Sequence, residues 1–174
     1  MFELKVAGAV LAVAFSVMMG AAAGRELGER KTLLKDFYKG LLMLHQEIDY
    51  MKTPLEEAMQ KTGTVLGEPF SCFFWETGVQ LEKLPGTPFF SVWQEMADWY
   101  LGSVSLLKED RELILQVGRQ IGMLEAGEDC GFLKVYEQRT KQLLDEAEQE
   151  YGQKAKLYWR LGILGGIFLV VLLI

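Results

Sequence analysis

Leu44-His45-Gln46-Glu47-Ile48-Asp49-Tyr50-Met51-Lys52-Thr53-Pro54-Leu55-Glu56-Glu57-Ala58 decides the fold, because one helical pattern stops inside it and another starts. Upstream, Leu27, Leu34, Leu41 and Ile48 recur every seven residues. Phe37, Leu44 and Met51 fill the positions three further on, which makes an a/d seam interrupted where Arg30 takes a d position. Downstream, Thr53-Pro54-Leu55-Glu56 reads as a helix start. Thr53 is placed to accept the N3 amide while Glu56 reaches back, and Pro54 at N1 gives up an N–H the helix does not use. A long first helix is thereby turned back on itself by a short second one, Pro54 to about Lys61, which buries Leu55, Ala58 and Met59 and ends near Gly63.

The rest of the middle repeats this alternation. A third helix opens near Pro69 and presents Phe70, Phe73, Phe74 and Leu81; Pro85-Gly86-Thr87-Pro88 ends it and starts a fourth. The fourth shows Phe89, Val92, Trp93, Met96, Trp99 and Tyr100 and stops at Gly102. Glu109 and Asp110 suit the positive first turn of a fifth helix, whose stripe is Leu113, Ile114, Val117, Ile121 and Leu124. Gly118 and Gly122, four apart, admit a close helix neighbour. A last helix runs from near Asp129 toward Ile174 with the stripe Phe132, Val135, Tyr136, Arg139 (by its stem), Leu143, Ala147 and Tyr151. No segment alternates as a strand would. The expected fold is all-α: an antiparallel helical bundle of about six helices, the first and last extending into the membrane.

The membrane expectation comes from the ends. Half of the 174 residues are hydrophobic and about a quarter charged, with a mean hydropathy of +0.11. Every charged residue except Glu3 and Lys5 lies in 25–160, leaving Val6–Gly24 and Leu161–Ile174 uncharged. As a helix the first of these spans about 28 Å, close to a hydrocarbon core of about 30 Å. Its alternative is a secretory signal peptide cut after Ala21-Ala22-Ala23, releasing an exported helical binding protein. Glu3 in the n-region, the length of the run, and Arg25, Arg30, Lys31 and Lys35 just beyond it favour an uncleaved span. The second run is shorter, with Tyr158, Trp159 and Arg160 placed for an interface. The organisation expected is an N-terminal transmembrane helix over 1–24, a helical domain over 25–160 and a membrane-inserted segment over 161–174. Basic residues on the inner flanks turn that domain to the cytoplasm.

Composition excludes several functions. The apolar and aromatic content is too high for disorder, and Cys72 and Cys130 alone make no disulfide scaffold. A net charge of -6, all of it in the middle because Glu3 and Lys5 cancel, argues for protein partners and against nucleic acid. His45 is the sole histidine and has no second His or Cys at ligand spacing. Glu47 and Asp49 fall on different helix faces and form no paired acid and base. Cys72 sits among aromatics as a small hydrophobe, and nothing beside Cys130 would make it a thiolate. No phosphate-binding glycine loop occurs. The expectation is a protein with no enzymatic activity, no cofactor, no metal and no small-molecule substrate.

One resemblance covers essentially the whole chain. Glu47-Ile48, Tyr50, Thr53-Pro54-Leu55, Glu57-Ala58, then Leu107, Asp110, Gly118 and Gly122, and finally Leu161-Gly162-Ile163-Leu164-Gly165-Gly166 with its aliphatic continuation, resemble stage III sporulation protein AB of endospore-forming bacteria. That family is similar to the cytoplasmic helical domains of type II secretion and type IV pilus platform proteins. The resemblance implies a membrane platform in the channel joining mother cell and forespore, on the mother-cell side in the outer forespore membrane. It also implies partners among the other channel proteins, a secretion-type ATPase included. Glu125-Ala126-Gly127-Glu128-Asp129-Cys130 departs from the family's more polar turn. On this reading Glu47, Tyr50 and Glu57 are candidate partner-facing residues. A solvated first-turn acid for Glu57 and a core-edge place for Tyr50 stay open.

Overall fold

The computed structural model describes the backbone of residues 2–123 and 131–173, and the side chains of residues 18, 25–123 and 131–154. Six α-helices follow one another: α1 Phe2–His45, α2 Leu55–Thr64, α3 Phe70–Lys83, α4 Phe89–Leu101, α5 Lys108–Ile121 and α6 Phe132–Leu173. A π-helical turn, Gln46–Tyr50, ends α1, and no strand occurs among the described residues. The all-α expectation therefore holds. Among the described residues no helix is long and apolar enough to cross a membrane. Apart from Met18, the side chains of Val6–Gly24 and Leu161–Ile174, on which that expectation rests, lie outside the described residues, as do Leu124 and Cys130.

The chain divides into two compact units, Thr32–Leu144 and the pair Met1–Lys31 with Asp145–Ile174. In the terminal unit, α1 and α6 run side by side. Arg30 Nη1 meets Glu150 Oε2 at 3.3 Å, Lys31 lies over the Tyr151 ring at 5.0 Å, and the Tyr151 ring packs on Gly28. Arg30 does not break the seam; it is buried there and ion-paired.

The 32–144 unit is built on aromatic side chains. Leu34, Phe37, Leu41 and Leu44 are buried on α1, as the heptads predict, and Leu33 is buried beside them. Phe70, Phe73 and Phe74 of α3 meet Phe37 on one side and Trp93 of α4 on the other. The Phe73–Trp93 centroids stand 4.7 Å apart, edge to face, an arrangement aromatic quadrupoles favour. Trp93 Nε1 donates to the Ile114 carbonyl at 3.0 Å, so the buried indole N–H is satisfied. The ring lies directly on Gly118, where a Cβ would fall inside van der Waals contact with Trp93 Cδ1, Cγ and Nε1. Glycine also brings α2 and α3 together: a Cβ on Gly63 would stand 2.8 Å from the Ser71 carbonyl oxygen, and one on Gly78 2.5 Å from that of Glu56.

Three stripes differ from the sequence reading. Trp99 is 79% exposed, because α4 buries Phe89, Val92, Trp93, Ala97 and Leu101 and turns residue 99 outward. Met51 is exposed, because the chain has left the helix before reaching it. On α6 Ala147 is buried as expected, but Leu133, Thr140 and Leu144 are buried in place of their neighbours Phe132, Arg139 and Leu143, while Val135, Arg139 and Tyr151 are exposed. Thr140 tolerates burial because its hydroxyl donates to the Tyr136 carbonyl, 2.7 Å away.

The Gly118 contact gives a sharp test. Gly118→Ala gains about 1 kcal/mol of helix propensity, yet it forces the Trp93 ring off its seat. Overpacking of this kind costs about 1–3 kcal/mol or more, so the net expectation is a lower midpoint in urea. Gly152→Ala on α6, with nothing within 4 Å of the added Cβ, is expected to leave the midpoint unchanged or raise it.

Candidate functional site

The end of α1 is where charged and polar groups gather. At Gln46 the i→i−4 pattern gives way: Met51 N–H donates to the Gln46 carbonyl at 3.2 Å, and Thr53 N–H reaches the Glu47 carbonyl at 3.0 Å. The wider turn lets the chain reverse within a few residues. It leaves Lys52 at φ 53°, a left-handed conformation that costs a side-chain-bearing residue about 1–2 kcal/mol.

Two side-chain networks hold this turn. In the first, His45 is almost fully buried, with Nδ1 2.6 Å from Glu137 Oε1 of α6 and Nε2 2.9 Å from Asp49 Oδ2. In the second, Glu47 Oε2 accepts from the Thr53 hydroxyl at 2.8 Å and from Lys61 Nζ at 3.3 Å, and Lys61 also meets Glu57 Oε1 at 3.0 Å. The Thr53 hydroxyl, followed by Lys61, holds the Glu47 carboxyl below its ordinary value. Glu57 and then Glu47 raise Lys61.

The helix-cap motif needs correcting. Helix α2 starts within a residue of the predicted point, but Pro54 is the N-cap rather than N1, and no side chain caps it. Thr53 turns its hydroxyl to Glu47 instead of the N3 amide, and Glu56 stays exposed. The carboxylate wins because a charge-assisted hydrogen bond is stronger than one to a neutral amide. Reach-back capping occurs elsewhere, where Asp110 Oδ2 accepts from the Leu107 N–H at 2.9 Å to open α5.

The three candidate partner-facing residues meet different fates. Glu47 and Glu57 come together on Lys61, Glu47 half-buried as a fastening of the turn and Glu57 exposed. Tyr50 stands 76% exposed beside Met51 at 64%, so it is a surface residue and not a core edge. Sequence reading passed over His45 as a site because it sought metal spacing. Its acid partner Glu137 is remote in sequence, though Asp49 at i+4 was in view. Among the described residues no group of three or more His, Cys, Asp or Glu could hold a metal. Cys72 is a free thiol donating to Glu68 Oε1 at 3.1 Å, and the Glu68 carboxylate pushes its pKa up, away from reactivity.

Fold and site together define a helical protein whose surface chemistry is fastening and contact, an aromatic core carrying an ion-linked turn with exposed apolar residues at its tip. The family described as stage III sporulation protein AB matches residues 5–174, and the chain belongs to that family. It is similar to the stage III sporulation protein AB of Bacillus subtilis (strain 168), with 27% identity over 170 residues that cover 98% of this chain and 99% of that one. A solved structure of stage III sporulation protein AB (SpoIIIAB) matches with a TM-score of 0.64 at 25% identity, covering 71% of this chain and 96% of that chain. The relatives are named for a stage of sporulation and not for a catalytic activity.

The Glu47 network sets a pH dependence. A folded-state pKa below the ordinary 4.5 means a stabilising contribution fully present above that value and lost as pH falls through the lowered one. Thr53→Val is expected to lower the thermal midpoint by a few degrees at pH 7. The gap from wild type should then narrow on acidification below about pH 4. Equal gaps at pH 7 and pH 3.5 would remove Glu47 from the account.

Proposed function

We propose that the chain is a non-enzymatic, membrane-anchored platform of a sporulation channel between mother cell and forespore, docking a secretion-type ATPase through its helical unit. The observation that carries this is the continuation of α1 and α6 as helix into the two uncharged segments, Val6–Gly24 and Leu161–Ile174. Arg25, Arg30, Lys31, Lys35, Lys154, Lys156 and Arg160 line the inner flanks, against Lys5 alone on the outer side. Under the positive-inside rule this asymmetry supports a cytoplasmic side for residues 25–160, which on this reading is the mother-cell cytoplasm at the outer forespore membrane, where a cytoplasmic ATPase is accessible. Membership of the family supports the sporulation setting. The docking surface on this reading is the tip of the turn, Tyr50 with Met51, and Glu57 contributes charge at its rim.

Two measurements test it. In a Cys72→Ser background, a membrane-impermeant maleimide is expected to label Cys130 from the cytoplasmic side only, on a chain retaining residues 1–23. Labelling from the opposite side, or a mature chain lacking those residues, returns the exported alternative. Full-length protein isolated in mild detergent from sporulating cells is expected to bring the ATPase with it. Tyr50→Ala with Met51→Ala should lower that recovery about tenfold, the usual loss for an aromatic anchor, at an unchanged thermal midpoint. Absence of any ATPase from the wild-type isolate overturns the docking role.

A further inference from the structure

A second surface lies on the outer face of α4. Ser91, Gln94, Glu95, Asp98 and Trp99 follow one another at the spacing of a single helix face and line an open hollow of ≈550 Å³. Trp99 is 79% exposed, the most exposed of the large hydrophobic side chains described. No aromatic ring among the described residues packs on it, whereas Trp93 on the opposite face stacks with three phenylalanines. Glu95 and Asp98 flank it, both exposed and neither ion-paired or hydrogen-bonded through its side chain among the described residues. Helix α4 contains no lysine or arginine at all.

These facts narrow the occupant. Residues i and i+4 on a helix hold their Cβ atoms about 5–6 Å apart, so the Glu95 carboxylate stands beside the Trp99 indole. A planar cation lying on that indole is within reach of the carboxylate. Arginine fits better than lysine, because its guanidinium stacks flat on an aromatic face while its edge forks to an oxygen pair. Two free carboxylates disfavour an anionic membrane surface or a nucleic acid at this face.

We propose that the α4 face formed by Gln94, Glu95, Asp98 and Trp99 docks an arginine-bearing segment of another protein, the guanidinium stacked on Trp99 and paired with Glu95 and Asp98. This surface is separate from the Tyr50–Met51 tip and does not depend on the ATPase reading. Trp and Arg are also the residues that most often dominate the energetics of an interface.

The test uses the full-length chain in sporulating cells, with a photoreactive benzoyl-phenylalanine at position 99 and mass spectrometry of the crosslinked peptide. The expected product joins position 99 to an arginine-containing peptide of a different protein. Its yield should fall about tenfold or more with Glu95→Lys and Asp98→Lys together, since reversal turns attraction into like-charge repulsion. Glu146→Lys with Glu148→Lys on α6, the same change in net charge elsewhere, should leave the yield unchanged. Glu95→Gln with Asp98→Asn, read beside circular dichroism, should weaken the crosslink while helix content holds. Replacing the captured arginine by glutamate should restore the crosslink to the Glu95→Arg, Asp98→Arg chain. No crosslink, a crosslink to lipid or to another copy of this chain, a peptide without arginine, or a yield indifferent to residues 95 and 98 overturns the proposal.

Discussion

The indole of Trp93 seated on Gly118 is the contact on which the 32–144 unit depends. From that seat the ring reaches Phe73 and Phe74 on α3, Phe89 on its own helix and the Ile114 carbonyl on α5. Any side chain at residue 118 would push the ring away, and the single buried polar atom of the indole would lose its acceptor. A large flat side chain is accommodated only where the opposing backbone is bare, so the pair sets how closely α4 and α5 pack. Phe70 then carries the aromatic contact on to Phe37 of α1. Helices α3 and α4 are thereby tied to the long α1 through ring contacts, and α5 joins them through the indole's hydrogen bond and its seat on Gly118.

Polar fastening is concentrated instead at the turn after α1. A left-handed lysine and a π-helical turn are both unfavourable locally, and they persist because the surroundings fix them. His45 links the turn to α6 through Glu137, and Glu47 links it to α2 through Lys61. The two networks use different carboxylates for different directions, which is why Glu47 and Asp49 do not act as a pair. The outcome is a turn whose His45, Glu47 and Asp49 are engaged within the protein while Tyr50 and Met51 point into solvent. Apolar side chains presented on a rigid support lose little entropy on binding, the property a docking surface needs.

Much of this was legible in the chain. Glycine, proline and seven-residue spacing locate every described helix to within a few residues, and Leu34, Phe37, Leu41 and Leu44 of α1 and Leu113, Ile114, Val117 and Ile121 of α5 are buried as their spacing predicts. What periodicity missed has identifiable physical causes. Trp99 was counted as core because tryptophan is apolar, but burial is set by helical phase, and residue 99 is out of phase with Trp93 and Ala97. On α6 the spacing points to Val135, Leu143 and Tyr151, whereas the helix turns Leu133, Thr140 and Leu144 inward, a face that a polar threonine disguises. A threonine that bonds its own helix carbonyl is quietly apolar toward its neighbours. Thr53 looked like a cap because its spacing to Glu56 fits one; only the approach of Glu47 from the preceding turn diverts it. The His45–Glu137 contact spans 92 positions in the sequence, a separation that no local pattern reports.

The two units differ in how α1 and α6 are joined, and that difference bears on what the terminal pair can do. In the 32–144 unit the link is His45 with Glu137, nearly buried and set among packed helices. In the terminal unit the described contacts are Arg30 with Glu150, whose carboxylate is 41% exposed, and Lys31 over Tyr151. Ion pairs open to water contribute about 0–1 kcal/mol, and an exposed cation–π contact about 0.5–1 kcal/mol. Such contacts set register and orientation without supplying the stability of a core. Arg30 and Lys31, adjacent on α1, hold the adjacent Glu150 and Tyr151 of α6, so the two helices are aligned at this one level by a pair of contacts.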